Sequence, residues 1–130
     1  MSGPEPAEEE AWMPNPHELR VEAGKIQDYL LNLDHPEGYG KAKFFRGVGF
    51  SEEAIGGMIE AFRSHAATNK IAQIIEHPYG VKTVVECFME TPAGKAYCIR
   101  SVWNDHGDGK PPKLVTALPL NPRQLEPSAP

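Results

Sequence analysis

His35 and Lys41 lie close together in the segment HPEGYGKAKFF, and the types packed into it set a chemical question. A chain reversal needs the proline and glycines, and a core needs Phe44 and Phe45. Neither needs a histidine and two lysines, Lys41 and Lys43, in so short a stretch. Two further residues stand out downstream: Arg100, a charge between apolar neighbours in AYCIRSVW, and Thr116 in KLVTALP. Together they supply the parts for cleaving RNA without a metal. A group with a near-neutral pKa removes the 2′-hydroxyl proton, cations stabilise the charge on the phosphorane, and an acid protonates the departing 5′-oxygen. Histidine suits either proton role, lysine and arginine suit the charge, and a threonine hydroxyl can bond a non-bridging oxygen. Tyr39 or Trp103 could stack an unpaired base, with Lys43, Lys82 and His77 as further neighbours of the substrate.

Each residue also has a plain structural reading. His35 can satisfy carbonyls at a helix end, and Lys41 and Lys43 can be solvated charges on a glycine-rich turn. Arg100 can pair with Glu86 across a hairpin, Thr116 can be an ordinary β-former, and Trp103 can belong to the core. Other chemistries find no motif. The chain has no phosphate-binding loop, dinucleotide fingerprint, HExxH, CxxC or GxSxG. Its five histidines match no defined zinc spacing, and Asp105, His106 and Asp108 fit a polar turn, so neither a metal nor a cofactor is expected.

Elements must bring the distant residues together. Leu19, Ala23, Ile26, Leu30 and Leu33 form one apolar stripe, which predicts an amphipathic helix ending before Pro36. Gly38 and Gly40 allow a tight reversal, and AKFFR allows one helical turn stopped by Gly47 and Gly49. Ser51 is a suitable N-cap for a second long helix over 52–67, whose stripe is Ile55, Met58, Ile59, Phe62 and Ala66. Residues 71–76 are readable as helix end or strand. The period then changes to two: VKTVVECFME and KAYCIRSVW around TPAG predict an antiparallel hairpin, and KLVTALP a further strand. Helices followed by a strand meander give an α+β fold, with the helices on one face of an antiparallel sheet. Whether Thr116 sits beside Arg100 depends on strand register, which the sequence leaves open.

A chain of 130 residues suits one domain. Its acidity is uneven. The full chain has 13 bases and 18 acids, whereas Gly38 to Leu120 has ten bases and eight acids, so an anionic ligand is not excluded. A nucleic-acid footprint would ordinarily be more basic. The acidic, proline-rich residues 1–16 and the proline-rich 121–130 are expected to be disordered tails around a domain at 17–120. Cys87 and Cys98, in apolar β-like runs, are expected as buried thiols of a reducing compartment, with a cross-strand disulfide the minority reading. The absence of an apolar leader or long apolar run points to a cytoplasmic protein without membrane contact.

The ordered pieces YLLNLDHPEGYGKAKFF, HPYGVKTVVECFME, TPAGKAYCIRSVW and LVTALP resemble a small bacterial family of unknown function. Its members occur as terminal domains of polymorphic toxins and as stand-alone proteins in toxin and antitoxin-like gene pairs. The likeness spans roughly residues 25–119, and its most distinctive pieces are HPxGxxKAxFF, the VW that closes a strand, and TAxP. The architecture is similar to the fold shared by barnase, EndoU, colicin-type nucleases and RelE, which are metal-independent ribonucleases. The resemblance therefore implies an endoribonuclease toxin acting on RNA and held in check by an antitoxin or immunity protein, and the mild charge balance points to tRNA or ribosome-bound mRNA as the target, because a weakly basic domain gathers little affinity from phosphates alone. It places His35 and Lys41 in the first motif, Arg100 in the strand ending in Val102 and Trp103, and Thr116 at the start of TALP. Leu118 stands where the family often has an aromatic, which removes one stacking group. In the resulting expectation His35 is the acid or base, Lys41 and Arg100 hold the phosphate, and Thr116 orients it. The rival expectation is a non-catalytic binding module whose sheet docks a protein partner.

Overall fold

The structure is a computed structural model and describes residues 12–120. The expected tails at 1–11 and 121–130 lie outside the described residues. Residues 12–16 are a different matter, because Met13 is only 5% exposed and joins the core.

Three helices precede a four-stranded antiparallel sheet. Helix α1 comprises Ala23–Lys25 and a π-helical continuation, Ile26–Leu30. Helix α2 is Tyr39–Gly47, and α3 is Ile55–Thr68, entered through a 3-10 turn at Glu52–Ala54. The strands β1 Ile71–His77, β2 Gly80–Glu90, β3 Ala96–Asp105 and β4 Lys113–Pro119 pair in sequence order, so β1 and β4 are the edges. Residues 71–76 thus resolve as strand. Their β-branched isoleucines pair with β2 across a tight turn at Gly80, where an added Cβ would lie 2.2 Å from the Asp105 carbonyl oxygen.

The first apolar stripe is only partly helical. Leu19 is fully buried but precedes α1, because Arg20 is held extended beside β4: its N–H donates to Pro112 O at 2.9 Å, and its carbonyl accepts from Leu114 N at 2.9 Å. Ile26 and Leu30 bury the inner face of α1. The π turn ends with Leu31 N–H donating to Ile26 O at 2.8 Å. Chain reversal follows as a turn over His35–Gly38 with Pro36 at its second position, where the fixed φ of proline is favourable. A full nine-residue helix then replaces the single turn expected around AKFFR, and it buries Ala42 and Phe45.

The inner face of the sheet carries Val85, Ile99, Ser101, Trp103 and Ala117, all 0% exposed, against Phe45, Met58 and Phe62 of the helices. One histidine is built into this core. His65 on α3 faces the carbonyls of Cys87 (2.9 Å) and Ile99 (3.0 Å) with Nε2, so Nε2 carries the proton. Its Nδ1 then accepts from the Ser101 hydroxyl at 3.0 Å, and Ser101 Oγ accepts from Trp103 Nε1 at 2.9 Å. Burial lowers the His65 pKa, outweighing the two carbonyls that raise it. Cys87 has a φ of 140°, and its Sγ lies 2.7 Å from that of Cys98; no disulfide joins them.

Candidate functional site

Helix α1, the turn after it, helix α2 and edge strand β4 enclose an open cleft of about 480 Å³, lined by Lys25, Tyr29, His35, Glu37, Lys41 and Thr116. Tyr29 is its centre. Its hydroxyl lies 3.2 Å from Thr116 Oγ1 and accepts a hydrogen bond from Lys41 Nζ. The ammonium groups of Lys41 and Lys25 stand 4.8 and 5.2 Å from the ring centroid, and the His35 ring meets the tyrosine edge-on at 4.9 Å. Partial burial raises the Tyr29 pKa, but the hydrogen bonds with Lys41 and Thr116 and the charges of Lys41 and Lys25 outweigh it. The net effect is a phenol held below its ordinary value of 10.0.

Local sequence explains why these groups meet. Lys25 and Tyr29 are four residues apart on α1 and therefore share a face. Gly38 has to be small: an added Cβ would approach Tyr29 O to 2.8 Å and the tyrosine ring to 3.1 Å, so glycine lets the start of α2 close onto α1. Lys41, in the first turn of α2, is thereby brought over the ring. On β4 the register slips between Val102 and Trp103, leaving Val115 as the extra residue, and Thr116 beside it meets the tyrosine hydroxyl.

His35 is fixed by its own turn. Its Nδ1 accepts from the backbone N–H of Glu37 and of Gly38, each at 3.1 Å, so the neutral ring carries its proton on Nε2. In this form His35 presents an Nε2–H donor, and its Nδ1 is occupied by the turn.

Of the four residues expected to act together, three line the cleft and Arg100 does not. Arg100 pairs in register with Glu86 and Leu118, in the row alternating with buried Val85, Ser101 and Ala117, and so points from the face opposite the helices. Its Nε donates to Glu86 Oε2 at 2.7 Å. Thr116 pairs with Val102 and Leu118 with Arg100, so the register adopted puts Thr116 on the same sheet face as Arg100, one diagonal step away, while the bond to Glu86 turns the guanidinium toward β2.

The expected substrate neighbours are also dispersed. Trp103 is fully buried, with its N–H used by Ser101, and offers no stacking face. Tyr39 (52% exposed) and Lys43 are solvent-facing residues of α2 outside the cleft lining. Lys82 lies in mid-sheet between Ile75 and Asn104. The acidic turn at 105–108 closes on itself, Asp105 accepting from Gly107 N at 2.8 Å and Asp108 from Lys110 N at 3.1 Å. Among the described residues no three His, Cys, Asp or Glu side chains gather as metal ligands.

Tyr29 and Lys25 went unrecognised in the sequence. Their signal was an aromatic and a cation at helical spacing just off the apolar stripe, a pattern that becomes informative only once Lys41 is known to face it.

Fold and site together define an α+β domain with a cationic, tyrosine-centred cleft at one sheet edge. The chain belongs to DUF6883, a family described as a domain of unknown function, whose model matches residues 12–121. It is similar in structure to a chain of a contact-dependent growth inhibition toxin–immunity protein complex from Klebsiella pneumoniae 342. The TM-score is 0.62 at 25% identity, over 78% of this chain and 92% of that one. No curated protein matches it. No helix among the described residues is long and apolar enough to cross a membrane.

Proposed function

We propose that this domain is an antibacterial toxin that cleaves RNA by attack of a 2′-hydroxyl on the adjacent phosphate, and that a cognate immunity protein inhibits it. The observation that carries the reading is the convergence of Tyr29, Lys41, Thr116 and His35 on one cleft, in a chain similar to part of a toxin–immunity complex.

Ionised Tyr29 takes the 2′-hydroxyl proton. The 2′-oxygen bonds to phosphorus, and charge on the non-bridging oxygens is met by Lys41 and Lys25. Thr116 hydrogen-bonds one of these oxygens, and His35 donates through Nε2–H to the departing 5′-oxygen. As the P–O5′ bond breaks, that oxygen takes a proton from water in the open cleft, and Tyr29 returns its proton to solvent. The products are a 2′,3′-cyclic phosphate and a 5′-hydroxyl, and no step requires a metal. Arg100 has no part in this scheme.

The test is incubation of purified protein with tRNA and with oligoribonucleotides in EDTA. Cleavage leaving cyclic phosphate ends, and its loss when a 2′-deoxynucleotide precedes the scissile bond, is expected. Intact RNA across such substrates overturns the reading.

A second reading, a non-catalytic protein-binding module, is favoured by one observation. Ile74 and Ile75 of edge strand β1 are 50 and 39% exposed, so the unpaired edge of the sheet carries apolar side chains that a protein partner could cover. Folded protein that leaves RNA intact and does not arrest bacterial growth is the outcome that selects it.

A further inference from the structure

Lys25 and Val115 line not only the tyrosine-centred cleft but also a second one, of about 170 Å³, which continues along β4 past Glu22, Lys113, Asn104 and His106. The two clefts therefore adjoin at Lys25 and Val115 along the sheet edge. Thr116 and Leu114, which belong to the first and second parts of the edge, flank the bulged Val115.

The second part is lined by both signs of charge. Glu22 lies within it, its Oε2 3.3 Å from Lys113 Nζ, and a carboxylate there repels a second phosphate. A base edge is the better fit. The wall opposite is held by a relay: His77 Nδ1 accepts from Tyr79 N–H at 3.2 Å, which leaves the His77 proton on Nε2 for Asn104 Oδ1 at 3.0 Å. Asn104 is 5% exposed, and with its oxygen so engaged its amide nitrogen is turned toward the exposed His106 ring, 3.0 Å from Nδ1. The His106 ring occupies one N–H of the Asn104 amide, so the groove sets the amide's second N–H as donor and a carboxylate acceptor, Glu22, beside the imidazole.

We propose that this second cleft is a base-recognition subsite, so that the substrate is an RNA strand lying along β4, with the nucleotide next to the scissile phosphate read by Glu22, Asn104 and His106. It rests on the ribonuclease reading for the position of the scissile phosphate. A carboxylate beside an amide donor complements a base that presents an amino group next to a ring acceptor. Adenine and cytosine do so, and uracil does not.

The experiment pairs cleavage of short oligoribonucleotides, varied in base on either side of the scissile bond, with binding of uncleavable 2′-O-methyl versions, using wild type, Glu22→Gln and His106→Ala. Both substituted residues are exposed, and thermal melts check that the variants remain folded. Adenine or cytosine is expected to be favoured about tenfold or more over uracil at one flanking position. Glu22→Gln should flatten that preference, and His106→Ala should weaken binding to every base. Equal handling of all bases by wild type, or an unchanged preference in Glu22→Gln, overturns the subsite even if RNA is cleaved. Binding with the expected preference but no cleavage leaves the subsite standing and removes the ribonuclease reading. Neither binding nor cleavage removes both.

Discussion

The hydroxyl of Tyr29 lies 3.2 Å from Thr116 Oγ1 across 87 positions of sequence, and this contact ties helix α1 to the edge strand β4. Lys41 donates to the same hydroxyl. Ionisation of the phenol lets its oxygen accept from both neighbours, so the surroundings favour the form that can take a proton.

Tyr29→Phe keeps the ring and removes only that hydroxyl. On the proposed mechanism the cleavage rate falls about 10²- to 10⁴-fold, the usual contribution of a positioned base. Wild-type rate should rise with pH along a limb whose midpoint is below the ordinary tyrosine value of 10.0, because the phenolate is the active form and its surroundings lower its pKa. The limb should vanish in Tyr29→Phe, as read from single-turnover rates against pH.

Lys41→Ala removes a cation from the developing charge and should slow cleavage about 10²- to 10³-fold. It also removes one of the groups that lower the Tyr29 pKa, beside Thr116 and Lys25, so what activity remains should have its alkaline limb moved to higher pH. Lys41→Arg should recover part of the rate.

Arg100→Ala should leave cleavage within about twofold of wild type, because the guanidinium is outside the cleft lining and is held by Glu86 on β2. Its side chain is 42% exposed, so the lost ion pair should cost no more than about 1 kcal/mol in a denaturant melt. A large loss of rate with an intact fold would restore Arg100 to the site.

His65 ties α3 to β2 and β3 in its neutral form, and burial lowers its pKa in the folded protein. Below the unfolded value of about 6.5 the unfolded chain binds the proton more readily, so stability is full above that pH and falls as acid is added. The slope approaches about 1.4 kcal/mol per pH unit and ends once the folded-state pKa is passed. His65→Leu should lose this acid dependence. It should also cost about 1–3 kcal/mol at neutral pH through the unpaired Ser101 hydroxyl and carbonyls. Urea melts at several pH values measure both.

Much of the fold was legible because apolar spacing reports burial directly. The stripe Ile55, Met58, Phe62 and Ala66 marked α3, and alternation in KAYCIRSVW marked the inner face of β3 with Ile99 and Trp103. The limits came where spacing alone has two solutions. Leu19 continued a helical stripe but is buried from an extended segment, because the backbone of Arg20 is taken up by β4. Residues 71–76 became a strand only through the partner waiting in β2.

The sequence by itself determined α3, the β2–β3 hairpin, β4, the single α+β domain and the closeness of His35 and Lys41 along the chain, since period, turn chemistry and nearby spacing act within a few residues. Only the tertiary structure decided which distant residues share a cleft. The bond to Glu86 turns Arg100 toward β2 although register gives it the same sheet face as Thr116, the slip at Val115 accompanies the meeting of Thr116 with Tyr29, and the bare Cα of Gly38 lets two helices close. Such outcomes depend on how separate surfaces pack, a property that no short window of residues contains.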